Sequence, residues 1–130
     1  MSKAKTTVVG RKKLCQAHAG DIVLPPIVVM AFGSGGCDAD GNVREPTGEE
    51  TSLHEELLRK ELESHSYPQT EEGEITCRYT VRLSKEELAG TYISEQGLCD
   101  EEGDLIAYKT FLPKGKDADM EFIFDMDEIF

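Results

Sequence analysis

The chain has no pair of cysteines at CxxC spacing. Its four cysteines, Cys15, Cys37, Cys77 and Cys99, are scattered, so no zinc ribbon is signalled and no metal is expected. It also lacks a long apolar run. The longest stretch, Ile22 to Phe32, is broken by Pro25 and Pro26 and falls short of the ~20 residues of a membrane helix. The opening, MSKAKTTVVGRKKL, is charged but has no apolar core and does not read as a signal peptide. The expectation is a soluble protein made in the cytoplasm, with free thiols. No repeat recurs at a period of about 20–50 residues, which excludes a solenoid or propeller.

Basic residues are scarce and unevenly placed. Lys plus Arg number 14 against 26 Asp plus Glu, for a net charge of −12. Residues 1–20 carry +5 with no acid, and residues 21–130 carry −17. An acidic body repels phosphate backbones and anionic lipid, so neither nucleic acid nor membrane is an expected partner. At 130 residues the chain is expected to be one domain, 1–130, with 1–5 disordered. Such a length buries about two-thirds of its unfolded surface, enough for a core without staples.

The pattern predicts an α+β fold of two helices and five to six mostly antiparallel strands. Thr6 to Gly20 reads as the first helix, with Thr6 or Thr7 as cap and Gly20 as a left-handed end. Ile27 to Phe32 reads as a buried strand, followed by a loop from Gly33 to Gly48. Ser52 with Glu55 forms a capping box, and Leu53, Leu57 and Leu58 follow on one face, so a second helix is expected. An edge strand is expected over Leu62–Tyr67. Glu74–Leu83 alternates cleanly and reads as a strand. Ser84 with Glu87 suggests one further helical turn before Gly90. Thr91–Cys99 is expected as a strand with a bulge near Gly97, because Ile93 and Leu98 have opposite parity. Asp100–Asp104 reads as a hairpin turn, Leu105–Leu112 as a buried strand, Pro113–Asp119 as a polar connection and Met120–Asp127 as a last strand.

Several constellations tempt a chemical reading. Asp38, Asp40 and Asn42, with Glu49, fit positions of a calcium loop. Val43 then stands where the loop needs Gly, and a solvated Asp-Gly turn is the plainer reading. Cys15 and His18 share a face at i, i+3 and suggest a nucleophile with its base, or half a metal site. His54 is expected inside the second helix, and His65 in a Ser-His-Ser run. Gly33-Ser34-Gly35-Gly36 follows a strand but leads into no helix or Lys-Ser/Thr pair, so it is not a phosphate loop. No catalytic or cofactor-binding residue is expected, and no enzyme activity.

The stretch 91–107, TYISEQGLCDEEGDLIA, is the most distinctive. It resembles the recognisable segment of bacteriophage tail-collar fibre proteins, the N-terminal attachment domain of tail fibres. Tyr92, Ile93, Glu95, Gly97, Leu98, Gly103 and Leu105 occupy the pattern's places. Gln96 stands where an apolar residue is usual, and Cys99 where an aromatic is usual. The helix with Gly10, the Met30–Gly35 strand end and the Glu50–Leu53 segment also resemble that family, over roughly residues 6–129. Such fibre proteins continue into a shaft, so this chain is expected to be a fragment or a short version.

The resemblance implies a virion structural protein of a phage or prophage tail, joining a fibre to the baseplate or collar by protein–protein contacts. Its implied partners are other tail or baseplate proteins and copies of itself, a trimer by resemblance. Its implied place is the virion tail, after synthesis in the bacterial cytoplasm. The basic residues Lys3, Lys5, Arg11, Lys12 and Lys13 are expected to dock on an acidic neighbour. Two alternatives stay open. One is an acidic mimic of nucleic acid that inhibits a DNA-binding enzyme. The other is a small enzyme built on Cys15 and His18.

Overall fold

The computed structural model describes residues 4–69 and 73–130. Near its start, Lys5–Thr6 forms a short strand, β1, and Val8–His18 forms helix α1. Thr7 caps the helix, its hydroxyl oxygen accepting from the Gly10 amide at 3.0 Å. The same hydroxyl donates to the Leu105 carbonyl at 2.7 Å, and the Thr7 amide donates to the Ile106 carbonyl at 2.8 Å. One threonine thus starts the helix and fastens it to a strand nearly a hundred residues away. Gly20, at φ +82°, ends the segment in the left-handed conformation expected of it.

The remaining elements are all strands: β2 (Ile27–Gly33), β3 (Glu56–Glu61), β4 (Ser64–Ser66), β5 (Thr76–Leu83), β6 (Thr91–Asp100), β7 (Leu105–Lys116) and β8 (Phe122–Ile129). They form a five-stranded sheet of order β1-β7-β6-β2-β3 and a three-stranded sheet of order β4-β5-β8. Every pairing is antiparallel. The two sheets meet through Met30, Phe32, Ile93, Leu98 and Ala107 on one side and Val81, Leu83, Phe124 and Met126 on the other. Phe32 and Phe124 lie with ring centroids 5.0 Å apart across that core. A second apolar cluster, Ala31, Leu53, Cys99, Leu105 and Tyr108, covers the opposite face of the larger sheet. Leu53 comes from the loop that precedes β3.

The architecture is two antiparallel sheets with one short helix among the described residues, not an α+β fold with two helices. The expected second helix is strand β3, whose Leu58 and Arg59 pair with Phe32 and Ala31 of β2. The leucine spacing fits a helix, but tertiary bonds claim its capping groups. The Glu55 carboxylate accepts from the Ser34 hydroxyl, and the Glu55 amide donates to Glu95. Local propensity is a weak prior against such partners. Ser84 and Glu87 do make one bond of a capping box, amide to carboxylate at 2.8 Å, yet only turns follow. β7 runs four residues past its expected end at Leu112, carrying Pro113 where its register with β6 is irregular. The register of β6 breaks between Ile93 and Glu95 and again between Leu98 and Cys99, on either side of Gly97. The first break explains why Ile93 and Leu98, of opposite parity, both face the inter-sheet core. Of residues 1–5, expected to be disordered, Lys5 pairs with Tyr108, and residues 1–3 lie outside the described residues.

Gly10 is the tightest point of the helix against the sheet. A Cβ there would sit 2.8 Å from the Ile106 carbonyl oxygen. Gly10→Ala should therefore lower stability by about 1–3 kcal/mol through overpacking, although alanine is the better helix former. Urea unfolding checks this, and a stabilised variant would show that the helix does not sit on β7 as described.

Candidate functional site

Glu95 has a fully buried carboxylate that accepts from the backbone of two loops and from a phenol on β7. It lies on β6, opposite Gly33 of β2. Its Oε1 accepts from the His54 amide at 2.9 Å and the Tyr108 hydroxyl at 2.5 Å. Its Oε2 accepts from the Gly35 amide and the Glu55 amide, both at 2.8 Å. All four partners are donors, which is the complement a carboxylate requires. Burial, then the bond to Glu95, push the Tyr108 phenol well above its ordinary pKa, so it stays a donor. The site thus ties the Gly33–Gly36 turn, the loop before β3 and strand β7 to one atom pair.

The glycines of this turn are there for space. A Cβ on Gly35 would meet the His54 side chain, the Glu55 amide and the Glu95 carboxylate at 2.6–2.7 Å. A Cβ on Gly36 would collide with the Ser94 backbone, and the Gly36 amide donates to the Ser94 hydroxyl at 2.8 Å. The GSGG run is therefore a close backbone contact between β2 and β6. The signal for it was visible in sequence only as glycine excess; its partner Glu95 was visible only through the family pattern.

The other residues of that pattern separate into core, turn and surface. Ile93, Leu98 and Leu105 are buried. Gly97 faces Leu53 and Leu105, whose side chains fill the place of a Cβ. Gly103 turns the β6–β7 hairpin at φ +88°. Tyr92 is exposed. Both departures from the pattern are also buried. Gln96 donates to the Met30 sulfur at 3.3 Å, and burial pushes the Cys99 thiol up. Cys99 packs with Tyr108 and Leu53.

At the hairpin tip, Asp100, Glu102 and Asp104 bring carboxylate oxygens within 4.8 Å of one another. The Lys13 ammonium sits on all three, at 2.6, 2.9 and 2.7 Å. Burial works against its charge, but the bonds to Asp100, Asp104 and Glu102 outweigh this and hold its pKa above the usual lysine range. The tip's cation is thus supplied by α1. Lys13, expected to dock on an acidic neighbour, docks on its own hairpin. Lys5, Arg11 and Lys12 are exposed, and Lys3 lies outside the described residues.

The remaining candidates are not brought together. In the Asp38–Glu49 segment, Asp38 Oδ1 accepts from the Asp40 and Asn42 amides at 2.9 and 3.0 Å, making a local turn. Glu50, beside Glu49, bonds the Thr47 and Gly48 amides. Cys15 and His18 lie on α1, both exposed. His54 lies in the loop before β3, edge-on to Tyr108 at 6.0 Å, and not in a helix. His65 lies on β4, beside Tyr67 and Tyr79.

Glu95→Gln would turn an amide group toward two of the four donors. It should cost about 2–6 kcal/mol of unfolding free energy, with Tyr108→Phe costing about 1–2 kcal/mol. Chemical denaturation of the two variants checks this, and an unchanged midpoint for Glu95→Gln would refute the role assigned to the clamp. No protein-family model, curated protein or solved structure matches the chain, so the site is read from its geometry alone.

Proposed function

We propose that this chain is a structural component of a phage or prophage tail that joins a tail fibre to the baseplate or collar through protein–protein contacts. One observation carries the reading. The segment that resembles tail-collar fibre proteins, 91–107, lies at the centre of the fold, and its distinctive polar residue, Glu95, spends its hydrogen bonds on holding two loops and strand β7. A pattern that specifies a rigid scaffold fits an attachment module better than a reaction site. Virion tail assembly, with synthesis in the bacterial cytoplasm, is the setting this role requires. No helix of the described residues is long and apolar enough to cross a membrane.

The nucleic-acid mimic draws less support. A mimic needs rows of free carboxylates, whereas those on the outer face of the smaller sheet are engaged. Arg78 holds Asp127 at 2.8 and 3.0 Å, Thr80 donates to Asp125 at 2.7 Å, and Arg82 lies 3.9 Å from Glu121. The Cys15–His18 enzyme lacks an orienting third group on α1.

The test is to induce the prophage of the source strain, purify particles and search them by mass spectrometry and labelled electron microscopy. The chain should co-purify with particles and the label should sit at the tail end. Particles that carry complete fibres without this chain would overturn the reading.

A further inference from the structure

A groove of about 1010 Å³ opens between β7 and β8. Its walls are apolar, from Phe111, Leu112, Phe122 and Ile123, and Lys109 and Lys114 stand on its β7 side. β7 pairs with β6 on one side. On the other, Thr7 holds the Leu105 and Ile106 carbonyls, β1 covers Ala107 and Tyr108, and the Thr110 hydroxyl donates to the Arg44 carbonyl. β8 pairs with β5 alone. Pro113 and the irregular register around it limit pairing on β7, so β8 offers the better edge. The two lysines make no ion pair among the described residues; Lys114 lies 5.6 Å over the Phe111 ring. The carboxylates on the β8 side, Glu121 and Asp125, are already engaged by Arg82 and Thr80. The groove is therefore an apolar slot with a nearly balanced rim, positive on its β7 side at Lys109 and Lys114 and acidic on its β8 side.

The complementary surface lies at the other end of the same hairpin. Between α1 and β2, the segment Ile22–Leu24 has no regular structure and exposes its apolar side chains, Val23 by 93%. Pro25 and Pro26 follow and keep the backbone extended. The Pro26 carbonyl accepts from the Glu101 amide at 3.0 Å, which fastens the segment to the acidic hairpin tip. Asp21, Glu101 and Glu102 are exposed around it. An apolar, extended hook flanked by carboxylates is thus matched by an apolar slot beside the β8 edge, with two lysines on its β7 side. The Pro26–Glu101 bond pins the hook at the tip, and four residues of strand at ~3.3 Å each separate Leu105 from Lys109, where the slot begins, so one chain does not fill its own groove.

We infer that the groove between β7 and β8 receives the Ile22–Leu24 hook of a second copy of this chain. The hook adds a short stretch of strand to the β8 edge, Val23 and Leu24 bury against Phe111 and Phe122, and Asp21 and Glu101 meet Lys109 and Lys114. The contact joins two different patches, so it is head-to-tail and closes into a ring or continues as a filament. The two prolines stop the added strand after three residues, which keeps an open edge from pairing without limit. This deepens the assembly role proposed above and rests on it for its purpose, but its test does not: self-association is read on the purified chain, whereas the tail role is read on particles.

The test is sedimentation velocity on the full chain over a range of concentrations, with Val23→Asp and Leu112→Asp as variants. Both positions are exposed, at 93% and 68%, so both variants should fold, which an unchanged thermal transition checks. The wild type should associate, and each variant alone should associate at least about tenfold more weakly. A one-to-one mixture of the two variants should form dimers, because each supplies the patch that the other lacks. Raising salt from about 0.05 to about 0.5 M should weaken the wild-type contact. A wild type that stays monomeric at high concentration, a Val23→Asp variant that associates like wild type, or a mixture that stays monomeric would each overturn the inference.

Discussion

The fold hangs on a carboxylate that has left water. Glu95 is fully buried, and it receives three backbone amides and one phenol. Moving a carboxylate out of water costs several kcal/mol, and hydrogen bonds to a charged group return roughly 1.5–3 kcal/mol each. Four of them offset that cost, whereas one or two would not. The geometry is correspondingly strict. Gly35 and Gly36 leave room for the backbone to approach, Tyr108 stays protonated, and the bent chain before β3 is pinned at His54 and Glu55. The second apolar cluster depends on the same clamp, because Leu53 lies one residue before the His54 amide that Glu95 holds.

That dependence explains what was legible in the sequence and what was not. Strands β5 and β8 were readable from strict alternation, since each has one face on the core and one in water. The first helix was readable because Thr7 caps it locally. The hairpin was readable because its turn is made by local bonds, the Glu102 and Asp104 amides donating to the Asp100 carboxylate and the Gly103 amide to the Asp100 carbonyl. β3 was misread because its leucines are spaced for a helix while its hydrogen bonds go to β2, Ser34 and Glu95, all at least twenty residues away. Glu95 itself looked like one carboxylate among 26 acidic residues. Only the resemblance to tail-collar fibre proteins singled it out, and nothing local in the chain announces that it is buried.

Charge reads differently once placed in space. The split between a basic head and an acidic body suggested docking between molecules. Lys13 instead docks on the hairpin tip of its own chain, and arginines engage carboxylates of the smaller sheet. The chain keeps its net −12, and two sets unpaired among the described residues stand beside apolar surface: Asp21 and Glu101 at the Ile22–Leu24 hook, and Lys109 and Lys114 at the groove between β7 and β8. Rigid loops pinned by Glu95, an apolar hook stiffened by prolines and an open strand edge are the parts an assembly module needs. None of them requires a reacting group.

The central claim is that one buried carboxylate organises the loops on the outer face of the larger sheet. Native-state hydrogen exchange tests it most directly, because the three amides that Glu95 holds belong to loop residues that would otherwise exchange quickly. The account predicts that the Gly35, His54 and Glu55 amides exchange with protection close to that of the β6 core, all three together. Exchange at the rate of a solvated loop, with β6 still protected, would contradict it.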